Sequence, residues 1–270
     1  MNLIMIDKEE KMKPNKLREL LNAKKPTLGT HMVIPWPRLV EVYGHTGAFN
    51  YIEYIGEYST YTLEQFENLG RAFELFPNMS SMIKVEEHTR GFIATRALDA
   101  GIQNVLFADC RDAKDVKECV RMVRPETPEA GGTHGAGGRR VFLGSNTVDW
   151  VKGMDDVVIA FMIEKKSAID DLENILNVKG VSMIQFGPND YSLTLGKPGQ
   201  LQIPEVRKTH MDMIKMALKK GIAPRVEING AEEAKPFIEM GVRHFCIGWD
   251  TIVISQWCQQ QAEDMQKLLC

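Results

Sequence analysis

Short apolar runs alternate with longer amphipathic stretches along most of the chain. Thr27–Ile34, Phe49–Ile55, Met82–Val85 and Val105–Ala108 read as strands, as do Val157–Glu164, Val181–Phe186, Pro224–Ile228 and His244–Gly248. Between them the period changes to that of helices: Trp36–Tyr43, Thr62–Phe76 with Thr62 as its cap, Gly91–Ala100, and a helix opened by Asp112 and running to Val123. Gly101, Gly180, Gly221 and Gly241 each stand between a helix and the next strand, where helix ends favour glycine. Eight such units predict a single α/β domain over residues 1–270, a (β/α)8 TIM barrel. A charged lead-in covers 1–23, and a last helix covers 252–269.

Composition narrows the class. The chain has 270 residues, 44% hydrophobic and 26% charged, which suits one globular domain with a large core. A net charge of −3 argues against nucleic acid as a partner, because phosphate binding needs a clustered basic surplus. No apolar run approaches the roughly 20 residues of a membrane span, so no membrane partner is expected. The acids near the N-terminus interrupt any signal-peptide pattern. Five cysteines without a CxxC pair fit a reduced, cytoplasmic protein.

The candidate chemistry sits where strands stop. Phe161-Met-Ile-Glu164 and Ile184-Gln-Phe-Gly-Pro-Asn-Asp190 each put a carboxylate at the end of an apolar run, one β-α unit apart. In a parallel barrel such acids lie side by side at the carboxyl edge, where active sites are built. Two carboxylates with water suit a hard divalent cation such as Mg²⁺ or Mn²⁺. Spacing alone leaves a second reading open, in which Glu164 caps a helix at Lys165 and Asp190 stabilises a Gly-Pro-Asn turn. The glycine-rich segment within Pro125–Asn146 lacks a phosphate-loop pattern. It is expected to form a mobile flap carrying His134, Arg139 and Arg140 towards a site or a neighbouring subunit.

Gly56-Glu57, Ile163-Glu164, Phe186-Gly-Pro-Asn-Asp-Tyr-Ser192 and Ile247-Gly-Trp-Asp-Thr251 occur in this order at four strand ends. Together they resemble the HpcH/HpaI aldolase family, class II metal-dependent pyruvate aldolases on a (β/α)8 barrel. The likeness covers about residues 15 to 260. It implies that Glu164 and Asp190 bind a divalent metal cation (Mg²⁺, Mn²⁺ or Co²⁺). It also implies that Gly187, Pro188, Asn189 and Asp190 form the substrate-binding turn for a small 2-oxo acid. A hexamer with the last helix packed on a neighbouring subunit is the expected homo-oligomer.

Against the family pattern Asp-Gly-Glu-His, this chain has Ile55-Gly56-Glu57-Tyr58. The acid–base histidine is thus Tyr58, and the aspartate that orients it is Ile55. Lys84 replaces the family arginine at the end of strand three, and His31 a tryptophan on strand one. A free tyrosine has a pKa of about 10, so Tyr58 needs positive charge nearby to act as a base. Lys84 is expected to provide it and to support the developing oxyanion. Residues 51, 53, 55 and 57 share one face of strand two, and the resemblance implies that position 55 faces the barrel interior, so Glu53 is expected to point inward, where an unpaired carboxylate is costly. His31 or Lys84 is its expected partner, making His31 with Glu53 the alternative proton carrier. His210 reads as a packing residue, His45 and His88 as surface residues, His244 as a strand start away from the chemistry, and Cys246 as a small core residue. The expected activity is aldol cleavage of a 4-hydroxy-2-oxo acid to pyruvate and an aldehyde, with decarboxylation of a 2-oxo diacid or a silent metabolite-binding barrel as alternatives.

Overall fold

The computed structural model describes residues 12–136 and 146–270. Eight strands form a closed parallel barrel in sequence order: β1 (Thr27–Met32), β2 (Tyr51–Ile55), β3 (Ser80–Val85), β4 (Asn104–Phe107), β5 (Ile159–Ile163), β6 (Met183–Phe186), β7 (Ala223–Ile228) and β8 (His244–Trp249). The helices are α1 (Lys16–Asn22), α2 (Pro37–Thr46), α3 (Leu63–Glu74), α4 (Arg90–Ala100), α5 (Ala113–Val123), α6 (Thr147–Asp155), α7 (Lys166–Asp170), α8 (Leu172–Leu176), α9 (Pro188–Thr194), α10 (Pro204–Lys220), α11 (Lys235–Glu239) and α12 (Asp250–Leu269). The (β/α)8 architecture read from the apolar rhythm is therefore present, with strand limits shifted by a few residues. Thr62 caps α3 in a reciprocal capping box with Gln65, and Asp112 caps α5 through the Asp115 amide.

Strand alternation divides the core into two layers. Ile52, Tyr54, Ile83 and Phe107 face the surrounding helices, whereas Tyr51, Met82, Leu106, Ala160, Met183 and Cys246 fill the barrel. The expected charged lead-in is in part a structural plug. Leu17 of α1 is fully buried among the barrel residues, and Arg18 beside it bonds the Val157 carbonyl and the Ser182 hydroxyl. Closing this end leaves the opposite, C-terminal mouth for chemistry.

The connection after α5 differs from its expectation. His134 does not swing out on a flap: it is buried, with Nε2 3.0 Å from Asp99 Oδ1 and its ring edge-on to Trp150. A backbone bridge between Pro125 and His134 folds this stretch back on itself. Arg139 and Arg140 lie outside the described residues. Among the described residues, no helix is long and apolar enough to cross a membrane.

Candidate active site

Glu164 directly follows β5 and is buried at the C-terminal mouth. Its Oε1 accepts the Asp109 N–H at 2.8 Å. Asp109 has a left-handed φ of 58°, a conformation that costs an L-residue about 1–2 kcal/mol, and it occurs where the backbone amide must turn towards Glu164. Burial pushes the Glu164 carboxyl up to about 7, and the charges of Asp109 and Asp190 add to this. Lys84 and the Asp109 amide oppose them without prevailing. The carboxylate lies over Gly187, where an added Cβ would stand 2.4 Å from Glu164 Oε2. Glycine here is a requirement of space.

Asp190 occupies the first turn of α9, after Pro188 at the helix start, and is not part of an open Gly-Pro-Asn turn. Glu164 does not cap α7: Lys165 occupies that N-cap without a side-chain cap bond, pairs with Asp109 and stands 3.7 Å from Asp190. Glu164 thus follows β5 directly, Asp190 sits in the helix that follows the neighbouring β6, and their charges interact. Both are hard oxygen ligands, and Glu164 is a carboxylate that burial makes costly to ionise. A cation between them would relieve that cost, so the residues fit one.

Beside this pair, Lys84 Nζ is 2.5 Å from a Glu57 carboxylate oxygen and 5.0 Å from the centre of the Tyr58 ring. Burial works against the lysine charge, but Glu164 and Glu57 outweigh it and hold the proton firmly. The expected lowering of the Tyr58 proton affinity does not occur. Burial, with Glu57, Asp190 and Glu164, outweighs Lys84 and pushes the phenol up to about 12. Tyr58 is nevertheless 60% exposed at the mouth.

Glu53 faces inward as alternation requires and is 1% exposed. Its partner is neither Lys84 nor principally His31. The fully buried Arg225 of β7 forms the ion pair with it, and His31 Nε2 stands 3.9 Å away. Arg225 also lies over the Tyr51 ring at 5.4 Å. His31 Nδ1 contacts the Gly248 carbonyl at 3.0 Å, and the ring stacks on Trp249. His31, Glu53 and Cys246 bring ligand atoms within 4.8 Å of one another, but Arg225 already supplies the positive charge at this spot. Cys246 is a buried core residue, and His210 stacks on Phe186, its proton affinity pushed down to about 4 by burial. His88 is exposed, His45 is exposed within the last turn of α2, and His244 bonds Thr27 at the far end of the barrel.

The sequence reading gave Glu57 no role beyond its motif and missed Asp109, Lys165, Arg225 and Glu227. Arg225 and Glu227 had a signal: they alternate as charges within an otherwise apolar strand, Pro-Arg-Val-Glu-Ile.

A family model for HpcH/HpaI aldolase/citrate lyase matches residues 71–256. The chain belongs to this family. Its members include aldolases and citrate lyases, so HpcH/HpaI membership supports a lyase-type enzyme. The 4-hydroxy-2-oxo-heptane-1,7-dioate aldolase of Escherichia coli is 31% identical over 105 residues, which is 39% of this chain and 40% of that protein. The chain therefore matches well under half the length of this curated HpcH/HpaI relative. In structure, the HpcH/HpaI aldolase of Desulfitobacterium hafniense DCB-2 superposes with a TM-score of 0.84 at 24% identity, over 93% of this chain and 96% of that one. A citrate lyase beta subunit from M. tuberculosis, complexed with oxaloacetate and magnesium, gives 0.55 at 12% identity over 84% and 93%.

Proposed function

We propose that the chain is a metal-dependent carbon–carbon lyase that cleaves a 4-hydroxy-2-oxo acid to pyruvate and an aldehyde. The observation that carries this reading is the meeting of Glu164 and Asp190 at the ends of β5 and β6, above the space left by Gly187. A divalent cation held by these two carboxylates (Mg²⁺, Mn²⁺ or Co²⁺) would supply positive charge to the enolate oxygen of the 2-oxo acid. The relative complexed with oxaloacetate and magnesium supports that choice of ligand class. Gly187, Pro188, Asn189 and Asp190 open α9, whose first-turn amides have no acceptor within the helix and suit the substrate carboxylate.

Lys84 places a fixed positive charge beside the developing oxyanion, kept protonated by Glu57 and Glu164. A phenol that holds its proton to about 12 suits donation better than abstraction. In the addition direction, Tyr58 gives its proton to the forming C4 alkoxide; in cleavage, the tyrosinate takes it back from the hydroxyl. His31 and Glu53, each 1% exposed, act behind the surface and orient what faces the substrate. All five cysteines are free, which supports a reduced, cytoplasmic setting. The exposed apolar face of α12 supports a homo-oligomer, a hexamer by the resemblance.

The high proton affinity of Tyr58 also favours a second reading, decarboxylation of a 2-oxo diacid, which needs no base for a hydroxyl. Pyruvate release from 4-hydroxy-2-oxo acids, with oxaloacetate measured in parallel, separates the two. Release from neither substrate, with and without Mg²⁺ or Mn²⁺, would point to a silent barrel and refute both.

A further inference from the structure

One wall of the barrel mouth is polar where barrel interiors are ordinarily packed with branched apolar side chains. On β7, Arg225 points to the axis and is fully buried. Glu227 keeps the same inward direction one pleat, about 6.6 Å, nearer the C-terminal end. It is the only exposed residue between Pro224 and Ile228, so its exposure opens on the mouth and not on the helices. Gln185 pairs with Arg225 across β6 and β7, which sets Glu227 level with Gly187, the residue beneath Glu164. Two strand spacings, about 9.6 Å of sheet, therefore separate β7 from β5, the strand that Glu164 follows.

Two neutral donors hold Glu227. Trp249 Nε1–H donates to Oε1 at 2.8 Å, and Gln185 Nε2–H donates to Oε2 at 3.0 Å. Among the described residues its only basic neighbour within 4.0 Å is His31, at 3.9 Å, because Arg225 is engaged by Glu53. A carboxylate offers about four acceptor positions, so two remain for the mouth. Gln185 Oε1 is buried and has no hydrogen-bond partner among the described residues. Glu227 therefore offers hydrogen-bond acceptors and its carboxylate charge on the side of the mouth away from Lys84.

We propose that Glu227 and Trp249, held from behind by Gln185 and His31, form the subsite for the part of the substrate that leaves as the aldehyde, and that this subsite takes a short hydroxylated aldehyde. The inference rests on the aldol reading above and names its second substrate. Hydroxyl groups donate to Glu227; an alkyl chain leaves its acceptors unmet, and a carboxylate-ended chain meets its charge. In the addition direction, C3 of the pyruvate enolate bonds to the aldehyde carbon. The carbonyl π pair becomes the C4 alkoxide and takes one proton, so nothing is oxidised or reduced.

The test offers the protein with Mg²⁺ and pyruvate three acceptors: glycolaldehyde, propanal and succinic semialdehyde. Glycolaldehyde is expected to show a kcat/KM at least tenfold above each of the others. Glu227→Leu should lower the glycolaldehyde-to-propanal ratio at least tenfold, and Gln185→Leu should lower it less. Wild type that prefers propanal or the semialdehyde, or a ratio untouched by Glu227→Leu, would overturn the proposal. A second readout needs no turnover: the ¹⁵N-indole resonance of Trp249, assigned with Trp249→Phe, should shift with glycolaldehyde and not with succinic semialdehyde. Equal shifts would also overturn it. Deuterium exchange into the methyl group of pyruvate reports the lyase reading separately; if exchange is absent that reading falls, and the indole shifts still decide the subsite.

Discussion

Gly187→Ala would place one methyl group against the proposed metal ligand while leaving every donor atom in the chain. The added Cβ would meet Glu164 Oε2 at 2.4 Å, Glu164 Cβ at 2.7 Å and the Met162 terminal methyl at 3.1 Å. Carbon and oxygen atoms settle at about 3.5 Å, so the carboxylate must retreat by about 1 Å. The backbone is not the obstacle, since φ −105° and ψ 89° at Gly187 suit an L-residue. Metal–oxygen distances are defined to about 0.2 Å, and disturbing a ligand's setting typically costs about 10–100-fold in affinity. Overpacking of this kind also costs about 1–3 kcal/mol of stability, which leaves most domains folded. Isothermal titration with Mn²⁺ should therefore show at least a tenfold weaker site in Gly187→Ala, approaching the loss in Glu164→Gln. A folded Gly187→Ala protein that binds Mn²⁺ within twofold of wild type would refute the assignment of Glu164 as a ligand.

Three further outcomes follow from the same geometry. Tyr58→Phe should lower aldol cleavage by about 10²–10⁴-fold with Mn²⁺ affinity unchanged in a titration; an unaltered rate would remove Tyr58 from proton transfer. Light scattering at micromolar concentration should give an oligomer, because Ile252, Val253, Ile254 and Trp257 are exposed on α12; a monomer mass would end that expectation. His210 is expected to make the fold acid-sensitive: with its folded pKa pushed down to about 4 against an unfolded value near 6.5, its stabilising effect is full above pH 6.5 and is lost as pH falls towards 4. Urea unfolding should show up to about 3 kcal/mol less of this pH dependence in His210→Phe, and identical pH profiles would contradict it.

The barrel was legible because its signals are local. Apolar strand runs, caps such as Thr62 and Asp112, and glycines at helix ends each act within a few residues; Gly101, Gly180, Gly221 and Gly241 all adopt the positive φ expected of them. The two acids at neighbouring strand ends were legible for the same reason. What the sequence hid depends on atoms far apart in the chain. Glu53 could be turned inward by alternation, but its partner Arg225 lies on β7, across the barrel, and only closure brings them together. The proton affinity of Tyr58 depends on partial burial and on three nearby carboxylates, which no spacing reveals. His134 looked mobile among glycines, yet Asp99 and Trp150, from helices on either side of it in sequence, enclose it.

The Glu53–Arg225 pair constrains how this sequence can drift. Losing either member alone strands the other as a buried charge, a change that typically costs about 3–5 kcal/mol, comparable to much of a domain's whole stability. Replacing both at once by apolar residues of similar volume is far milder. Descendants of this chain should therefore keep the two positions or exchange them together, and single replacements should survive only beside a compensating change. Because Arg225 lies one pleat beneath Glu227 and Glu53 stands level with His31, a change at either position would also disturb the polar wall of the mouth.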